Sequence, residues 1–104
     1  MGNILILCTI NDFQTAKAIS EKLLKDRLIA CSNIIPQITS LYSWQGKLCE
    51  DSEYLMILKS RSDLFDDVKN TISELHPYDI PEIISLKIEN GAKPYIDWLN
   101  AGLK

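Results

Sequence analysis

The feature that most constrains the fold is a long extended stretch in the middle of the chain, interrupted by a single turn. From Ala30 to Trp44 the residues are rich in Ile, Thr, Tyr and Ser, and a second β-type segment runs from Leu48 to Ser60. The intervening WQGK indicates a tight hairpin turn, because Gly46 adopts positive φ without steric cost. Pro36 has no N–H to donate, so its strand must lie at a sheet edge or contain a bulge there.

The length of this hairpin predicts an oligomer. Strands of about 14 residues, at ~3.3 Å per residue, reach roughly 45 Å. The first predicted helix, from Phe13 to about Leu28, covers only about half of that length at ~1.5 Å per residue. The distal half of the hairpin therefore has no helix of its own chain to pack on, yet it carries Leu41, Tyr42, Trp44 and Leu48. An exposed apolar ribbon is a liability, so we expect a partner subunit to cover it; the alternative is a bent or disordered hairpin tip.

The remaining patterns complete the element order β-α-β-β-α-β with an additional terminal helix. A first strand is predicted over Ile4 to Thr9 and a last strand over Ile83 to Ile88. Ser62 is placed to cap a second helix, whose predicted buried face is Leu64, Val68, Ile72 and Leu75. A terminal helix is predicted to begin at Pro94, with Tyr95, Trp98 and Leu99 facing inward. This order is typical of an α+β, ferredoxin-like sandwich, in which one antiparallel sheet carries two helices on one face.

Composition bounds the function. The 104 residues predict a single domain, 1–104. The formal net charge is −3 and no run of Lys and Arg occurs, so we expect no nucleic-acid partner. The longest apolar runs are far shorter than a membrane span, so we expect no membrane partner. The three cysteines form no close pair, which favours a reduced, cytoplasmic chain.

Three segments of the sequence resemble the CutA family of divalent-cation tolerance proteins. They are ACSNIIP (Ala30 to Pro36), YSWQGK (Tyr42 to Lys47) and HPYDIPEI (His76 to Ile83), in the same order and spacing as in that family. The resemblance runs essentially from end to end. It implies a ferredoxin-like subunit in a tight homotrimer similar to the PII signalling proteins, with interlocked hairpins. It also implies a role in tolerance of divalent metals, with reported copper binding.

His76 and Cys8 are the candidate metal ligands. Neutral imidazole suits Cu(II), Zn(II) and Ni(II), and a thiol suits Cu(I). The resemblance associates the LCT tripeptide around Cys8, at the end of the first strand, with copper. The alternatives are a helix C-terminal histidine near the helix dipole and a buried cysteine acting as a small hydrophobe.

One departure from the family pattern weakens the metal hypothesis. Some relatives have two histidines before the proline, whereas Leu75 precedes the single histidine here. One histidine and one cysteine cannot complete a four-ligand site in one chain. Bound Cu²⁺ or another divalent metal would therefore need water, carboxylates or a second subunit.

A cleft between subunits is the second candidate site. Trp44, Lys59, Tyr78 and Glu82 supply aromatic, cationic and acidic groups near the family-like segments, as is typical of ligand pockets at interfaces. The alternative is that the aromatic residues seal the trimer and Lys59 pairs with a carboxylate. No familiar catalytic motif occurs, so we expect a non-enzymatic protein. A nucleophile pair of Cys8 and His76 has no identifiable third residue to orient it.

Overall fold

The computed structural model describes residues 2–104. Its strands are β1 (Asn3–Ile10), β2 (Cys31–Trp44), β3 (Lys47–Arg61) and β4 (Ile84–Lys87). Its helices are α1 (Phe13–Lys25), α2 (Phe65–Leu75) and α3 (Lys93–Ala101), with a short 3₁₀ turn at Ser62–Leu64. The four strands form one sheet in the order β2-β3-β1-β4, and every neighbouring pair is antiparallel. The predicted ferredoxin-like α+β architecture is confirmed.

The core lies between one face of the sheet and the helices. In β1 the even-numbered side chains are buried and the odd-numbered ones are only half-buried. The buried face packs against the inward stripes of α1 and α2, and the shared cluster includes Ile6, Ile10, Ile19, Leu23 and Ile72. Because side chains alternate along a strand, the even-numbered and odd-numbered side chains of β1 point to opposite faces of the sheet. Helices cover only the face that carries the even-numbered side chains.

The ends of the first helix are set by local chemistry. The side chain of Asp12 accepts a hydrogen bond from the Thr15 amide at 2.8 Å, which satisfies one of the free N–H groups at the helix start. The helix ends at Lys25, earlier than the predicted Leu28. The reason is that Arg27 takes a left-handed backbone conformation, with φ of 57°.

Three predicted features of the later helices are wrong. Ser62 does not cap the second helix, because it begins the 3₁₀ turn and α2 starts three residues later without a side-chain cap. On α3, Tyr95 and Trp98 are exposed and only Leu99 points into the core. The two aromatic rings lie 5.5 Å apart between centroids and are about half exposed. Leu75, predicted to be buried on α2, is also exposed.

The long hairpin is present as predicted. Its two-residue turn has positive φ at Gln45 (50°) and Gly46 (77°), as a type I′ turn requires. The register shifts between Ile35 and Ile38, so Pro36 lies in a bulge of the edge strand β2. The longest dimension of the molecule is 45 Å. The apolar side chains of the distal half are uncovered, with Leu41 65% and Leu48 85% exposed.

Candidate functional site

The histidine of the HPYDIPEI segment is a buried connector between three parts of the fold. His76 follows the last turn of α2, is 8% exposed and donates its backbone N–H to Ile72. Its ring Nε2 lies 2.8 Å from the carbonyl oxygen of Thr9 in β1. Its ring Nδ1 lies 3.1 Å from the backbone N–H of Tyr78. The imidazole thus joins the end of the helix, the first strand and the proline-flanked segment that leads to β4.

These partners determine the tautomer. The Thr9 carbonyl can only accept, so Nε2 must carry the proton. The Tyr78 amide can only donate, so Nδ1 must be the acceptor. His76 is therefore neutral in this arrangement, with both nitrogens occupied.

The candidate thiol lies beside the histidine, inside the core. Cys8 is two residues before the end of β1, not at the strand end, and its even-numbered position turns it toward the helices. Its Sγ lies 3.8 Å from the same Thr9 carbonyl oxygen. Burial raises the pKa of the Cys8 thiol to about 12, and the carboxylates of Glu82 and Glu53 add to that rise. The structure thus brings the two predicted metal ligands together, but with the thiol held protonated.

This pair of side chains does not fit a resident metal ion. Neither histidine nitrogen has a free lone pair, and metals bind the thiolate rather than the thiol. Within residues 2–104, no group of three or more His, Cys, Asp and Glu side chains is placed to hold a metal ion. Coordination by His76 and Cys8 would require both side chains to leave their present partners.

A cleft lies between the hairpin and the HPYDIPEI segment. Its volume is about 660 Å³, within the usual range for small-molecule sites. Three of the four predicted cleft residues, Trp44, Tyr78 and Glu82, line it. The cleft is bounded within one chain, although it opens beside the uncovered ribbon.

The fourth predicted cleft residue lies elsewhere in this chain. Lys59 does not line the cleft. Its Nζ donates to the Tyr95 hydroxyl at 3.0 Å and lies 5.2 Å from the centre of that ring. The hydrogen bond to Tyr95 is the main cause of a raised Lys59 pKa. Lys59 therefore joins β3 to α3 and pairs with a tyrosine instead of the carboxylate considered from the sequence.

The most enclosed polar residue of the cleft was missed by sequence reasoning. Glu53 is 6% exposed, and its Oε2 accepts a hydrogen bond of 2.5 Å from the Tyr78 hydroxyl. Burial, together with this carboxylate, raises the Tyr78 pKa above its usual value. Tyr42 donates to Asp51 nearby, and that bond is the main cause of raising the Tyr42 pKa to about 12. The available sequence signal is weak: Glu53 directly precedes the apolar strand segment YLMILKS and directly follows the polar residues Glu50, Asp51 and Ser52.

The fold and this cleft define a class of small α+β proteins: a ferredoxin-like core with a long projecting hairpin and a polar pocket at the base of the hairpin. Within that class, the family model described as CutA1 divalent ion tolerance protein matches residues 4–102. The chain therefore belongs to the CutA1 family.

Relatives match nearly the whole chain. The divalent-cation tolerance protein CutA of Thermus thermophilus is 42% identical over 94 residues, covering 90% of this chain and 91% of the relative. Protein CutA of Homo sapiens is 44% identical over 86 residues, covering 83% of this chain but only 48% of the relative. This chain thus spans about half the length of its human relative. A solved structure of the Thermus thermophilus protein superposes with a TM-score of 0.95 at 38% identity, covering 98% of this chain and 99% of that one.

Among the residues that the structure describes, no helix combines the length and the hydropathy needed to cross a bilayer.

Proposed function

We propose that this CutA1-family chain acts in tolerance of divalent cations as a non-catalytic homotrimer. The observation that carries the proposal is an apolar sheet face that the other elements within residues 2–104 leave largely uncovered. Because directly opposite residues in an antiparallel sheet share a face, the register identifies its members. Leu5 faces Leu86, Leu7 faces Ile84 and Ile57, and Thr9 faces Leu55.

Such a face supports assembly on physical grounds. Leu86 and Ile84 are half exposed in the single chain, and the odd-numbered leucines of β1 are only half-buried. Domains cover both apolar faces of a sheet with another layer, and a large uncovered patch marks an interaction surface. Leu41 and Leu48 of the hairpin are also exposed, so this second apolar region likewise requires a covering surface. Copies of this chain supply matching apolar surface for both regions.

Light scattering tests the assembly. We expect a mass about three times 11.8 kDa for the wild-type chain, and a monomer in dilute buffer would overturn the proposal. Leu86→Glu puts a charge on the apolar face and is expected to dissociate the assembly. Ser85→Glu is the matched control, since Ser85 is its exposed neighbour on β4 and faces Ile6 on the other side of the sheet.

The hairpin has its own test. Trp44→Ala is expected to weaken assembly if the ribbon packs between subunits. An unchanged trimer with an unchanged melting temperature would contradict a role for the ribbon in the interface.

The link to divalent cations is tested in cells and in solution. Expression in a bacterium that lacks its own CutA1 protein is expected to raise the copper concentration at which growth stops, and Leu86→Glu is expected to lose that effect. Copper binding through His76 and Cys8 is tested by calorimetric titration with Cu(II). Heat that disappears in His76→Ala supports it, and no heat above buffer rejects it.

The second candidate function is that of a PII-like regulatory or scaffolding trimer, with a small molecule or a protein partner bound in the cleft. The cleft supports this second function, because three of the four predicted cleft residues line one cavity whose volume suits a small-molecule ligand. Binding without catalysis agrees with the protonated state of the buried Cys8 thiol, which is a poor nucleophile. A cytoplasmic location, expected from the cysteine pattern, stays a prediction.

A further inference from the structure

The charge of the cleft lining has one sign. Glu53, Asp79 and Glu82 contribute carboxylates, and none of the lining residues is Lys, Arg or His. Lys47, the cross-strand partner of Trp44, is outside the lining. An anionic ligand would meet repulsion at this surface, whereas a cation would be attracted.

The buried carboxylate of Glu53 has a second oxygen that can still accept hydrogen bonds from the cleft side. Only Oε2 of Glu53 has a hydrogen-bond partner among residues 2–104, the Tyr78 hydroxyl. No fully enclosed side-chain oxygen in that range lacks a partner, so Oε1 must be reached from the open side of the residue, which is the cleft. Glu53 itself is more than nine-tenths buried. A donor entering the cleft therefore meets a preoriented carboxylate oxygen with free lone pairs.

Aromatic walls distinguish an organic cation from a metal ion. In the single chain, Tyr42, Trp44 and Tyr78 line the cleft together with the apolar side chains of Leu41 and Ile80, and Trp44 and Leu41 also belong to the ribbon that a partner subunit is proposed to contact. Aromatic faces attract ammonium groups, and apolar walls favour a ligand with a hydrocarbon body. A bare ion would fill little of the roughly 660 Å³, and no group of three metal-ligating side chains is placed to hold one within residues 2–104.

We propose that the cleft binds an organic cation, a protonated amine or quaternary ammonium carried on an apolar body. The positive group lies near Glu53, Asp79 and Glu82, and the apolar body lies against Trp44. This inference rests on the second function proposed above, because it specifies the ligand class for that cleft.

The test compares three probes of similar shape and different charge. Benzyltrimethylammonium, benzyl alcohol and benzoate are titrated into the 104-residue chain, with light scattering on the same samples. Trp44 fluorescence is followed in Trp98→Phe, which leaves one of the two tryptophans. We expect the cation to bind at least tenfold more tightly than the alcohol, and benzoate to show no binding.

Matched variants locate the effect. Glu53→Gln keeps an acceptor for the Tyr78 hydroxyl and removes the charge, so we expect the cation to bind at least tenfold more weakly with little change in benzyl alcohol binding. Glu74→Gln removes an exposed carboxylate of α2, outside the cleft, and is expected to change nothing. If Glu53→Gln disturbs folding, Glu82→Gln replaces it, since Glu82 lines the cleft from an exposed position.

The outcomes separate this inference from the functions on which it rests. Equal binding of the alcohol and the cation, or cation binding unaffected by Glu53→Gln and Glu82→Gln, overturns the charge requirement while leaving a ligand cleft. A trimer that binds none of the probes overturns the ligand class alone, and an absence of the trimer counts against the assembly instead.

Discussion

Replacing His76 by alanine tests whether this histidine is a structural connector. The change removes the bond from Nε2 to the Thr9 carbonyl and the bond from the Tyr78 amide to Nδ1. A buried backbone group left without a partner costs about 1–3 kcal/mol. Both groups belong to half-buried residues that water can partly reach. We therefore take values near the lower end and expect a loss of about 2 kcal/mol in the free energy of unfolding.

The loss is measurable by urea denaturation followed by circular dichroism. For a chain of this size, 2 kcal/mol corresponds to a fall in melting temperature of about 10 °C. All variants are compared at one protomer concentration, because assembly makes apparent stability depend on concentration. His76→Gln is expected to recover part of the loss, since its amide can donate to the Thr9 carbonyl. Leu75→Ala is the neighbouring control at an exposed position.

Adding a chelator distinguishes two roles of His76, a structural connector and a metal ligand. As a connector, His76 stabilises the fold equally with and without EDTA. A destabilisation in His76→Ala seen only when copper is present would refute the connector, and a loss below about 0.5 kcal/mol would mean that water replaces both hydrogen bonds.

Four further predictions concern buried or strained positions. At pH 8 iodoacetamide is expected to label Cys49 while leaving Cys8 unmodified, because the folded Cys8 pKa is raised to about 12; mass spectrometry showing equal labelling would contradict this. Between about pH 9 and 12 only the unfolded thiol loses its proton, so stability falls as pH rises, and less steeply in Cys8→Ala urea titrations. Ser60→Ala leaves the buried Leu28 carbonyl without its 2.6 Å donor and is expected to cost about 1–3 kcal/mol; an unchanged urea midpoint would show that the carbonyl finds another partner. Gly46→Ala places a Cβ at φ of 77° and is expected to cost about 1 kcal/mol, read as a lower melting temperature.

The hairpin was predictable because its determinants are local. A glycine-containing turn between two β-rich arms fixes the register of the ladder, and the proline at position 36 marks its own bulge. Helix boundaries were less predictable, because they depend on which of several adjacent polar residues forms the cap. Asp12 does so with Thr15, whereas Ser62 instead begins a 3₁₀ turn.

The direction of Cys8 was not predictable from its strand. Leucine and isoleucine occupy both the odd and the even positions of β1, so periodicity alone cannot say which face the helices cover. If the assembly proposed above forms, this doubled apolar pattern has a direct cause: helices cover the even face and partner chains cover the odd face.

The cleft was predictable in part, and its two errors share one origin. Lys59 and Glu53 lie on the same face of β3, but at ~3.3 Å per residue they are about 20 Å apart along the strand. Lys59 thus reaches α3, and Glu53 reaches the cleft. Choosing between them required the position of the proline-flanked segment relative to β3, which no local pattern in the sequence contains.

One chain of hydrogen bonds connects the two candidate sites. It runs from the Thr9 carbonyl through the His76 ring to the Tyr78 amide, and from the Tyr78 hydroxyl to Glu53 in the hairpin. Proline on both sides of Tyr78 restricts the backbone that carries the middle of this chain. Groups linked in this way contribute non-additively to stability. If the cleft binds a ligand as proposed, His76 contributes to that binding indirectly, by holding Tyr78 where its hydroxyl orients the carboxylate of Glu53, and this contribution requires no metal.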